Sequence, residues 1–292
     1  MIPAPFGYQA AHSIEEAAAL LAEHGDEARL LAGGQSLLPM LKLRLARPGL
    51  LVDLGPVPAL RAIATHAGGL RVGAMATTCQ VGRCAEVPAA YRVIPEAAAG
   101  IGDPLVRNRG TLGGSLAHAD PAGDWPAVAL ALDARVVATG PGGTREIAVD
   151  GFFGSLFTTA LRPDEVLTHV ELPAPPPGTG SAYVKFAHPG SGYAVAAAAA
   201  VVTMDAAGIC RHARVALTGV SAVPSRATRV EAALLGQELA PDTVADAAAE
   251  APLGLEIIED AFAPSRYRAH LATVVTRRAI TRALATTLTP AT

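Results

Sequence analysis

The stretch Ala32-Gly33-Gly34-Gln35-Ser36 follows directly on the apolar pair Leu30-Leu31, and a second glycine pair occurs in Thr111-Leu112-Gly113-Gly114-Ser115. A glycine pair lets the backbone pass close to a ligand because no Cβ intervenes, and successive N–H groups in such a turn can converge on a phosphate. Two such turns about 80 residues apart can hold the two ends of one dinucleotide. Together they predict a cofactor cradle, although either pair by itself is more typical of an ordinary tight turn.

The first turn departs from the common nucleotide motifs. Gly33-Gly34-Gln35-Ser36 lacks the G-x-G-x-x-G spacing of Rossmann folds, and no P-loop lysine follows it. The sequel to the second turn, residues 115–126, is rich in groups that bond sugar hydroxyls or cap helices. Asp124 before Trp125-Pro126 has both interpretations, and the local sequence favours a helix N-cap over a ligand for hydroxyls.

Composition favours a globular protein that binds small molecules or other proteins. The chain has 292 residues, of which 51% are hydrophobic, and this content argues against disorder over most of its length. That length suits one large domain or two of ordinary size. The formal net charge is −3 with both signs interspersed, so no basic surface for nucleic acid or an anionic membrane is indicated.

Cysteine content and apolar runs narrow the class further. The three cysteines, Cys79, Cys84 and Cys210, are too few for a four-cysteine iron–sulfur cluster and do not form a disulfide framework. The N-terminal residues 1–6 lack a basic region followed by an apolar one, so we expect no secretory signal. The apolar run Ala194 to Val202 is far shorter than the roughly 20 residues of a membrane span. We therefore expect a cytoplasmic protein without a transmembrane segment.

Helix and strand patterns alternate along the chain and predict an α+β fold. Ser13 with Glu16 forms a capping-box pattern for a helix that ends at His24-Gly25. The other main predictions are a strand at 30–31, a helix over 87–99 interrupted near Pro95, a helix over 125–132 opened by Asp124, a strand over 194–204 and a long helix from Ser265. The proline-rich segment 173–180 predicts a linker between packed units.

Taken together, four motifs resemble the FAD-binding medium subunit of molybdenum hydroxylases, a family that includes the medium chain of aerobic carbon monoxide dehydrogenase and the FAD subunit of xanthine dehydrogenase. The resemblance covers nearly the whole chain. The motifs that carry it are Ala-Gly-Gly-Gln-Ser-Leu-Leu-Pro at 32–39, Ile-Gly-Asp-Pro at 101–104, Arg-Asn-Arg-Gly-Thr-Leu-Gly-Gly-Ser at 107–115 and Ala-Asp-Pro at 119–121.

This resemblance implies the architecture in more detail. Residues 1–176 would form a two-lobed α+β FAD-binding domain of the PCMH or vanillyl-alcohol-oxidase type. Residues 177–292 would form a smaller α+β C-terminal domain of the carbon monoxide dehydrogenase flavoprotein type. The break between the two domains would then lie in the proline-rich segment.

The same resemblance implies which residues contact FAD, with the pyrophosphate on the backbone of the first glycine turn. The matching positions are Ala32, Gly33, Gly34, Gln35, Ser36, Ile101, Thr111, Gly114, Ser115, Asp124, Leu161, Lys185 and Tyr193. Tyr193 would lie beside the isoalloxazine, and Lys185 would add positive charge there. Ser115 departs from the family, in which asparagine is common at this position. From the residues alone, Tyr193 is better explained as a strand-start tyrosine that packs on the core, and His188 as a loop residue without chemistry.

In this family the substrate is oxidised on another subunit, and the resemblance implies that this chain is an electron-transfer subunit. A small partner subunit would hold [2Fe–2S] clusters and a large one the molybdopterin cofactor, usually as a dimer of heterotrimers. Electrons would pass from the iron–sulfur subunit through FAD to an external acceptor, and no catalytic or metal-binding residue is expected in this chain.

Two other classes of protein stay open at this point. A self-sufficient flavin oxidase would need its own substrate pocket, and often a covalent tether to the cofactor, for which His118, Cys79 and Cys84 are the candidates. A scaffold protein would keep the fold without the flavin. An absorption spectrum tests the scaffold, because a yellow protein excludes it. Acid precipitation tests the tethered oxidase, because release of free flavin argues against a covalent tether.

Overall fold

The computed structural model describes residues 2–287, in which helices and strands alternate as the sequence predicts. The strands are β1 (Gly7–Ala10), β2 (Ala28–Leu31), β3 (Leu50–Asp53), β4 (Ile63–His66), β5 (Gly69–Gly73), β6 (Arg135–Gly140), β7 (Gly143–Ala148), β8 (Phe153–Ser155), β9 (Thr158–Thr159), β10 (Val166–Leu172), β11 (Thr179–Ala187), β12 (Ala194–Met204), β13 (Cys210–Thr218) and β14 (Ser225–Arg226). The helices are α1 (Ile14–His24), α2 (Leu37–Lys42), α3 (Thr78–Gly82), α4 (Val93–Gly100), α5 (Pro104–Arg107), α6 (Leu112–His118), α7 (Asp124–Ala131), α8 (Thr228–Leu234), α9 (Pro241–Ala249) and α10 (Ser265–Thr287).

The first lobe is a parallel sheet in the order β1-β3-β2, with α1 packed against it. The predicted helix α1 is confirmed: the Ser13 hydroxyl accepts the N–H of Glu16 at 3.0 Å, and the helix ends at Gly25. The Glu16 carboxylate accepts the N–H of His12, one residue before the position that a capping box requires. Since β2 ends at Leu31, the first glycine turn leaves the sheet at its carboxyl edge, where ligands commonly bind.

The second lobe is an antiparallel sheet in the order β4-β5-β10-β6-β7. Helices α4, α6 and α7 contribute to its core. Helix α4 begins at Val93, so the prediction that it starts at Val87 is wrong. Pro95 does not interrupt this helix because it lies in the first turn, where a backbone N–H has no intrahelical partner to lose.

The C-terminal region is an antiparallel sheet in the order β11-β12-β13-β14, and the long helix α10 covers one face. Strand β12 has the predicted bounds, and α10 begins at Ser265 as expected. The side chains of β12 alternate between two cores: Ala197 and Ala199 belong to the core of the second lobe, whereas Ala196 and Ala198 pack in the core under α10. Helices α4 and α7 of the second lobe lie on the opposite face from α10, so this sheet is buried on both sides.

The proline-rich segment joins β10 to β11, and it is shorter than predicted. Thr179 and Gly180 belong to β11, where they pair with Thr203 and Val202. The two threonine hydroxyls lie 2.7 Å apart and hold the beginning of the strand in register. Among the described residues, no helix is both long and apolar enough to cross a membrane.

Candidate functional site

The two glycine turns lie against each other. A Cβ at Gly33 would overlap the carbonyl oxygen of Arg109, so the two turns can approach this closely only with glycine there. A Cβ at Gly114 would lie 3.5 Å from the Cβ of Ala32. The structure therefore brings together two stretches that are far apart in the sequence, as the cradle prediction requires.

The first turn presents a run of unpaired backbone donors. Gly34 has φ +75°, a left-handed conformation that glycine adopts without a steric penalty. Within residues 2–287, the N–H groups of residues 33–36 donate to no other protein group, while the carbonyl of Gly34 accepts the N–H of Leu38 at 3.0 Å. Successive N–H groups of this kind suit an anion such as a pyrophosphate.

The second turn is held from both sides. The hydroxyl of Thr111 accepts the N–H of Gly114 at 3.1 Å and so caps α6. The N–H of Thr78 donates to the carbonyl of Gly110 at 2.8 Å, which fixes the turn to the first residue of α3. Ser115 is half-buried, and its hydroxyl makes no hydrogen bond within the described part of the chain. The hydroxyl can therefore bond a ligand.

An open cleft of about 500 Å³ adjoins the second turn. Its lining residues are polar or cationic: Arg61, Thr77, Cys79, Gln80, Arg83 and Asn108. Thr77 forms an isolated bridge with Thr111, which places the cleft directly beside the turn. Guanidinium and amide groups suit anionic or hydroxyl-bearing ligands. The sequence analysis did not identify this cleft, because its residues come from three separate segments.

Asp124 is a buried residue of the first turn of α7 and not the helix cap that the local sequence favours. The N-cap of α7 is Gly123, and Asp124 is the first helical residue. Its carboxylate accepts a hydrogen bond from the Tyr183 hydroxyl at 2.6 Å and lies 2.9 Å from the Lys185 Nζ. The neighbouring strand β11 supplies both partners, so tertiary contacts override the capping preference. We call Asp124, Tyr183 and Lys185 the Asp124 triad.

The charges of the Asp124 triad match the helix ends around it. Burial raises the pKa of Asp124, and the charge of Lys185 and the hydrogen bond from Tyr183 oppose that shift. The Lys185 Nζ also donates to the carbonyl of Gly100, the last residue of α4, at 2.6 Å. A cation at a helix C-terminus and an anion at a helix N-terminus are both favourable. Lys185 therefore acts as one half of a buried ion pair, which reduces the net positive charge that the sequence analysis assigned to it.

Ile101 and Leu161 lie at the margins of this region. Ile101 follows Gly100 directly at the end of α4. The side chains of Ile101 and Leu161 are half-buried against the core of the second lobe. Leu161 comes shortly after β9, which packs against α6. Both positions are thus close in the chain to elements that build the site.

Tyr193 lies on the ordered loop between β11 and β12. The Nδ1 of His188 accepts the N–H groups of Gly190 at 3.1 Å and Ser191 at 3.2 Å, so His188 organises a loop in which the sequence suggested no role for it. Tyr193 is 46% exposed, which does not fit a tyrosine packed in the core. Burial and the charges of Asp120 and Asp124 raise its pKa.

The candidates for a covalent tether have other contacts. The His118 ring lies 5.1 Å from the ring of Phe157, and Cys79 lines the cleft. The Cys84 thiol donates to the Glu86 carboxylate at 2.8 Å, and burial raises the pKa of Cys84, which favours the unreactive thiol. No group of three or more metal-ligating side chains occurs among residues 2–287.

Tyr183 is the site residue that sequence reasoning missed. Its signal is the period of two in β11, where Ser181, Tyr183 and Lys185 face the second lobe. The Ser181 hydroxyl donates to the carbonyl of Ala90 at 2.6 Å on that same side. A strand that carries a candidate cofactor-binding lysine therefore draws attention to the residue two positions earlier.

Two family models match successive parts of the chain. Residues 4–175 match the FAD binding domain in molybdopterin dehydrogenase, and residues 181–283 match the CO dehydrogenase flavoprotein C-terminal domain. These matches confirm the expected fold class, a FAD-binding α+β domain followed by a flavoprotein C-terminal domain.

Characterised proteins similar to the chain span its whole length. The carbon monoxide dehydrogenase medium chain of Hydrogenophaga pseudoflava is 39% identical, over 98% of this chain and 99% of its own. The 6-hydroxypseudooxynicotine dehydrogenase complex subunit alpha of Paenarthrobacter nicotinovorans is 37% identical, over 97% of this chain and 96% of its own. A solved structure of carbon monoxide dehydrogenase from Hydrogenophaga pseudoflava, which lacks the Mo-pyranopterin moiety of the molybdenum cofactor, superposes with a TM-score of 0.94 at 40% identity. It covers 98% of this chain and 99% of the matched chain.

Proposed function

The chain belongs to the FAD-binding subunits of the molybdenum hydroxylases, and on that premise we propose that it is the electron-transfer subunit of such an oxidoreductase. The observation that carries the proposal is the pair of glycine turns pressed together, one of which presents unpaired N–H groups at residues 33–36. These groups fit the pyrophosphate of FAD. When bound, FAD supplies one- and two-electron redox chemistry.

We propose that the residues around the two turns and the Asp124 triad hold this cofactor. The binding set is Ala32, Gly33, Gly34, Gln35, Ser36, Ile101, Thr111, Gly114, Ser115, Asp124, Leu161, Lys185 and Tyr193. The turn amides neutralise phosphate charge, and the Ser115 hydroxyl offers a donor or an acceptor. The Asp124 carboxylate accepts from cofactor hydroxyls, and the charge of Lys185 favours its ionised form.

The names of the similar proteins indicate partner subunits. The similar proteins are named as a medium chain and as a complex subunit, so they are components of multi-subunit enzymes. We propose that this chain assembles with a large molybdopterin-binding subunit and a small [2Fe–2S] subunit into a dimer of heterotrimers. Substrate is then oxidised on the large subunit, and the choice of substrate is made there. A location in the cytoplasm stays a prediction from the sequence.

We also propose a boundary between the domains at residues 176 and 177. The two matched ranges leave residues 176–180 between them, and β10 ends at Leu172, in support of this boundary. Domain 1–176 then holds both glycine turns, while domain 177–292 contributes Tyr183 and Lys185 to the site.

Purification of the chain from its native host tests the proposed function. We expect a yellow preparation in which acid precipitation releases free FAD and two further polypeptides co-elute with the chain. A colourless, folded protein would support the scaffold alternative. A lone monomer that oxidises an organic substrate at full activity would support the self-sufficient oxidase.

A further inference from the structure

Tyr183 makes an unusual contact for a buried tyrosine. Its side chain is only 5% exposed, and its hydroxyl donates to Asp124 Oδ1 at 2.6 Å. The other fully enclosed tyrosine, Tyr91, satisfies its hydroxyl with the backbone carbonyl of Pro173 at 2.8 Å. A buried hydroxyl needs a partner, and a neutral carbonyl is sufficient. The choice of a carboxylate therefore points to a role beyond packing.

The hydrogen bond from Tyr183 also makes the two carboxylate oxygens of Asp124 inequivalent. Oδ1 accepts the Tyr183 hydroxyl and lies 2.9 Å from the Lys185 Nζ, whereas the one side-chain hydrogen bond to Oδ2 from the described residues is the longer 3.2 Å bond from Lys185. A carboxylate offers about four acceptor positions. Oδ2 thus retains acceptor capacity for a ligand while Oδ1 is occupied by protein groups.

Strand β11 holds Tyr183 rigidly. The N–H of Tyr183 donates to the Glu96 carboxylate at 2.8 Å, and Tyr183 lies opposite Ala199 in the ladder with β12. Its position two residues before Lys185 puts both polar ends on the same carboxylate. An anchored phenol of this kind restricts how Asp124 can rotate.

We propose that Tyr183 is a positioning residue of the cofactor site, whose hydroxyl fixes Asp124 so that Oδ2 and Lys185 face the bound cofactor. This inference rests on the proposed function, because the cofactor is FAD only if that proposal holds. Tyr183 acts through Asp124 and does not itself contact the reacting atoms. Removal of its hydroxyl therefore changes FAD affinity and the flavin midpoint potential by more than removal of a buried tyrosine hydroxyl elsewhere in the protein.

The test compares Tyr183→Phe with Tyr91→Phe in the full-length chain, each of which removes one buried hydroxyl and keeps the ring. FAD affinity is measured by quenching of flavin fluorescence on titration into the apoprotein, and the midpoint potential of the bound flavin by dye equilibration at pH 8. We expect about tenfold weaker FAD binding for Tyr183→Phe, as for loss of one hydrogen bond to a charged group, and a lower midpoint potential. Tyr91→Phe should stay within about twofold of the wild-type affinity.

A double-mutant cycle with Asp124→Asn determines whether Tyr183 acts through Asp124. In the Asp124→Asn background, the further change Tyr183→Phe should alter affinity by less than about twofold. An undiminished effect in that background, or equal effects of Tyr183→Phe and Tyr91→Phe, would overturn the inference. Failure of the wild-type chain to bind FAD would instead overturn the proposed function.

A second variant covers the case in which Tyr183→Phe does not fold. Replacement of Tyr183 by 2,3-difluorotyrosine keeps the ring and hydroxyl and makes the hydroxyl a stronger donor. We expect the midpoint potential at pH 8 to rise, opposite in direction to Tyr183→Phe. An unchanged potential in this folded variant would count against the positioning role.

Discussion

At the residue scale, the two glycines of the first turn are needed for different reasons. Gly33 allows the carbonyl of Arg109 to approach so closely that any side chain would separate the turns. Gly34 adopts φ +75°, and within residues 2–287 the N–H groups of Gln35 and Ser36 that follow it make no hydrogen bond. The contact between the turns and the left-handed backbone of the first turn thus depend on adjacent glycines.

Replacing Gly34 by Val should remove most of the bound FAD and leave the fold intact. A β-branched residue is strained at positive φ by about 1–2 kcal/mol, and the turn relaxes into another conformation. We expect FAD affinity to fall at least tenfold, measured as the ratio of flavin to protein absorbance after gel filtration.

Gly208→Val is the matched control for that substitution. Gly208 lies between β12 and β13 with φ +76°, close to that of Gly34, and a Cβ there would have no neighbour within 4 Å. This variant should retain its flavin. Full flavin content in a folded Gly34→Val protein would show that the first turn does not bind the pyrophosphate.

Tyr193→Ala should change the rate at which reduced flavin is reoxidised by much more than it changes FAD affinity. The ring is 46% exposed on an ordered loop, and the charges of Asp120 and Asp124 influence its hydroxyl. If the proposed cofactor site is correct, we expect this half-exposed ring to lie beside the cofactor and to limit access to it. Stopped-flow reoxidation by oxygen and by a quinone measures the effect, and unchanged rates with both acceptors would leave Tyr193 without this role.

Single residues also show the reach of sequence reasoning. The glycine turns were predicted because their motif is local, and the family resemblance identified Asp124 and Lys185 as a set. From the residues alone, Asp124 was assigned to a cap, since its real partners lie 59 and 61 positions further along the chain. Tyr183 was missed because nothing within β11 shows what lies opposite the strand.

At the scale of elements, the Asp124 triad joins three of them. Lys185 of β11 bonds the last carbonyl of α4 and the first side chain of α7. The Lys185 and Asp124 side chains are each 8% exposed, so water screens their interaction only weakly. The ion pair therefore fixes where two helices end and begin relative to the strand.

Lys185→Met should destabilise the protein by about 3 kcal/mol at pH 8, because it leaves a buried carboxylate without its counter-charge. Burial already raises the pKa of Asp124 above its unfolded value of 3.8, and loss of Lys185 raises it further. The folded state then binds the proton more tightly than the unfolded state, so stability is lost as pH rises through the raised pKa. The destabilisation should accordingly be smaller at pH 5 than at pH 8.

Urea denaturation of the apoprotein at the two pH values measures this difference. Lys42→Met is the control, since Lys42 is exposed at the end of α2 and forms no ion pair within the described residues. Equal destabilisation by Lys185→Met at both pH values would indicate that the charge of Asp124 is not involved.

The elements also differ in how well local sequence determines them. Helix α1 and strand β12 were predicted with correct bounds, because a cap and a continuous run of small apolar residues are strong local signals. Helix α4 was predicted six residues too long at its start, since residues 87–92 are as apolar as the helix but fold as turns around Pro88. Its true start depends on Ser181, whose hydroxyl accepts the N–H of Val93.

At the scale of the whole molecule, the two proposed domains share one core. Tyr183, Ala197 and Ala216 of the C-terminal sheet are buried in the same cluster as the sheet and helices of the second lobe. Polar contacts reinforce this packing: Thr218 donates to the carbonyl of Pro121 at 2.8 Å, and Arg214 bonds Asp133 at 2.7 Å. The proline-rich segment is thus the covalent link between units that are already joined by extensive packing.

Cleavage of that link should not separate the two parts. A protease site inserted at Pro176 should give two fragments that co-elute under native conditions and retain FAD, because the buried sheet and the Asp124 triad still connect them. Size-exclusion chromatography with absorbance at the flavin band measures both properties. Two separate peaks in buffer without denaturant would show that the shared core is too weak to hold the parts together.

Strand β12 carries a consequence for how such chains diversify. Its alanines face helices on both sides, so the second lobe packs against one particular surface of small side chains. Recombination that exchanged the C-terminal part between distant relatives would place side chains of different volume against α7. Because α7 begins at Asp124, such a change would also shift the Asp124 triad. Even one methylene added to that surface would destabilise the packing, because the interior is close-packed. We therefore expect the two parts to be inherited together, with relatives diverging by coordinated substitution across this strand.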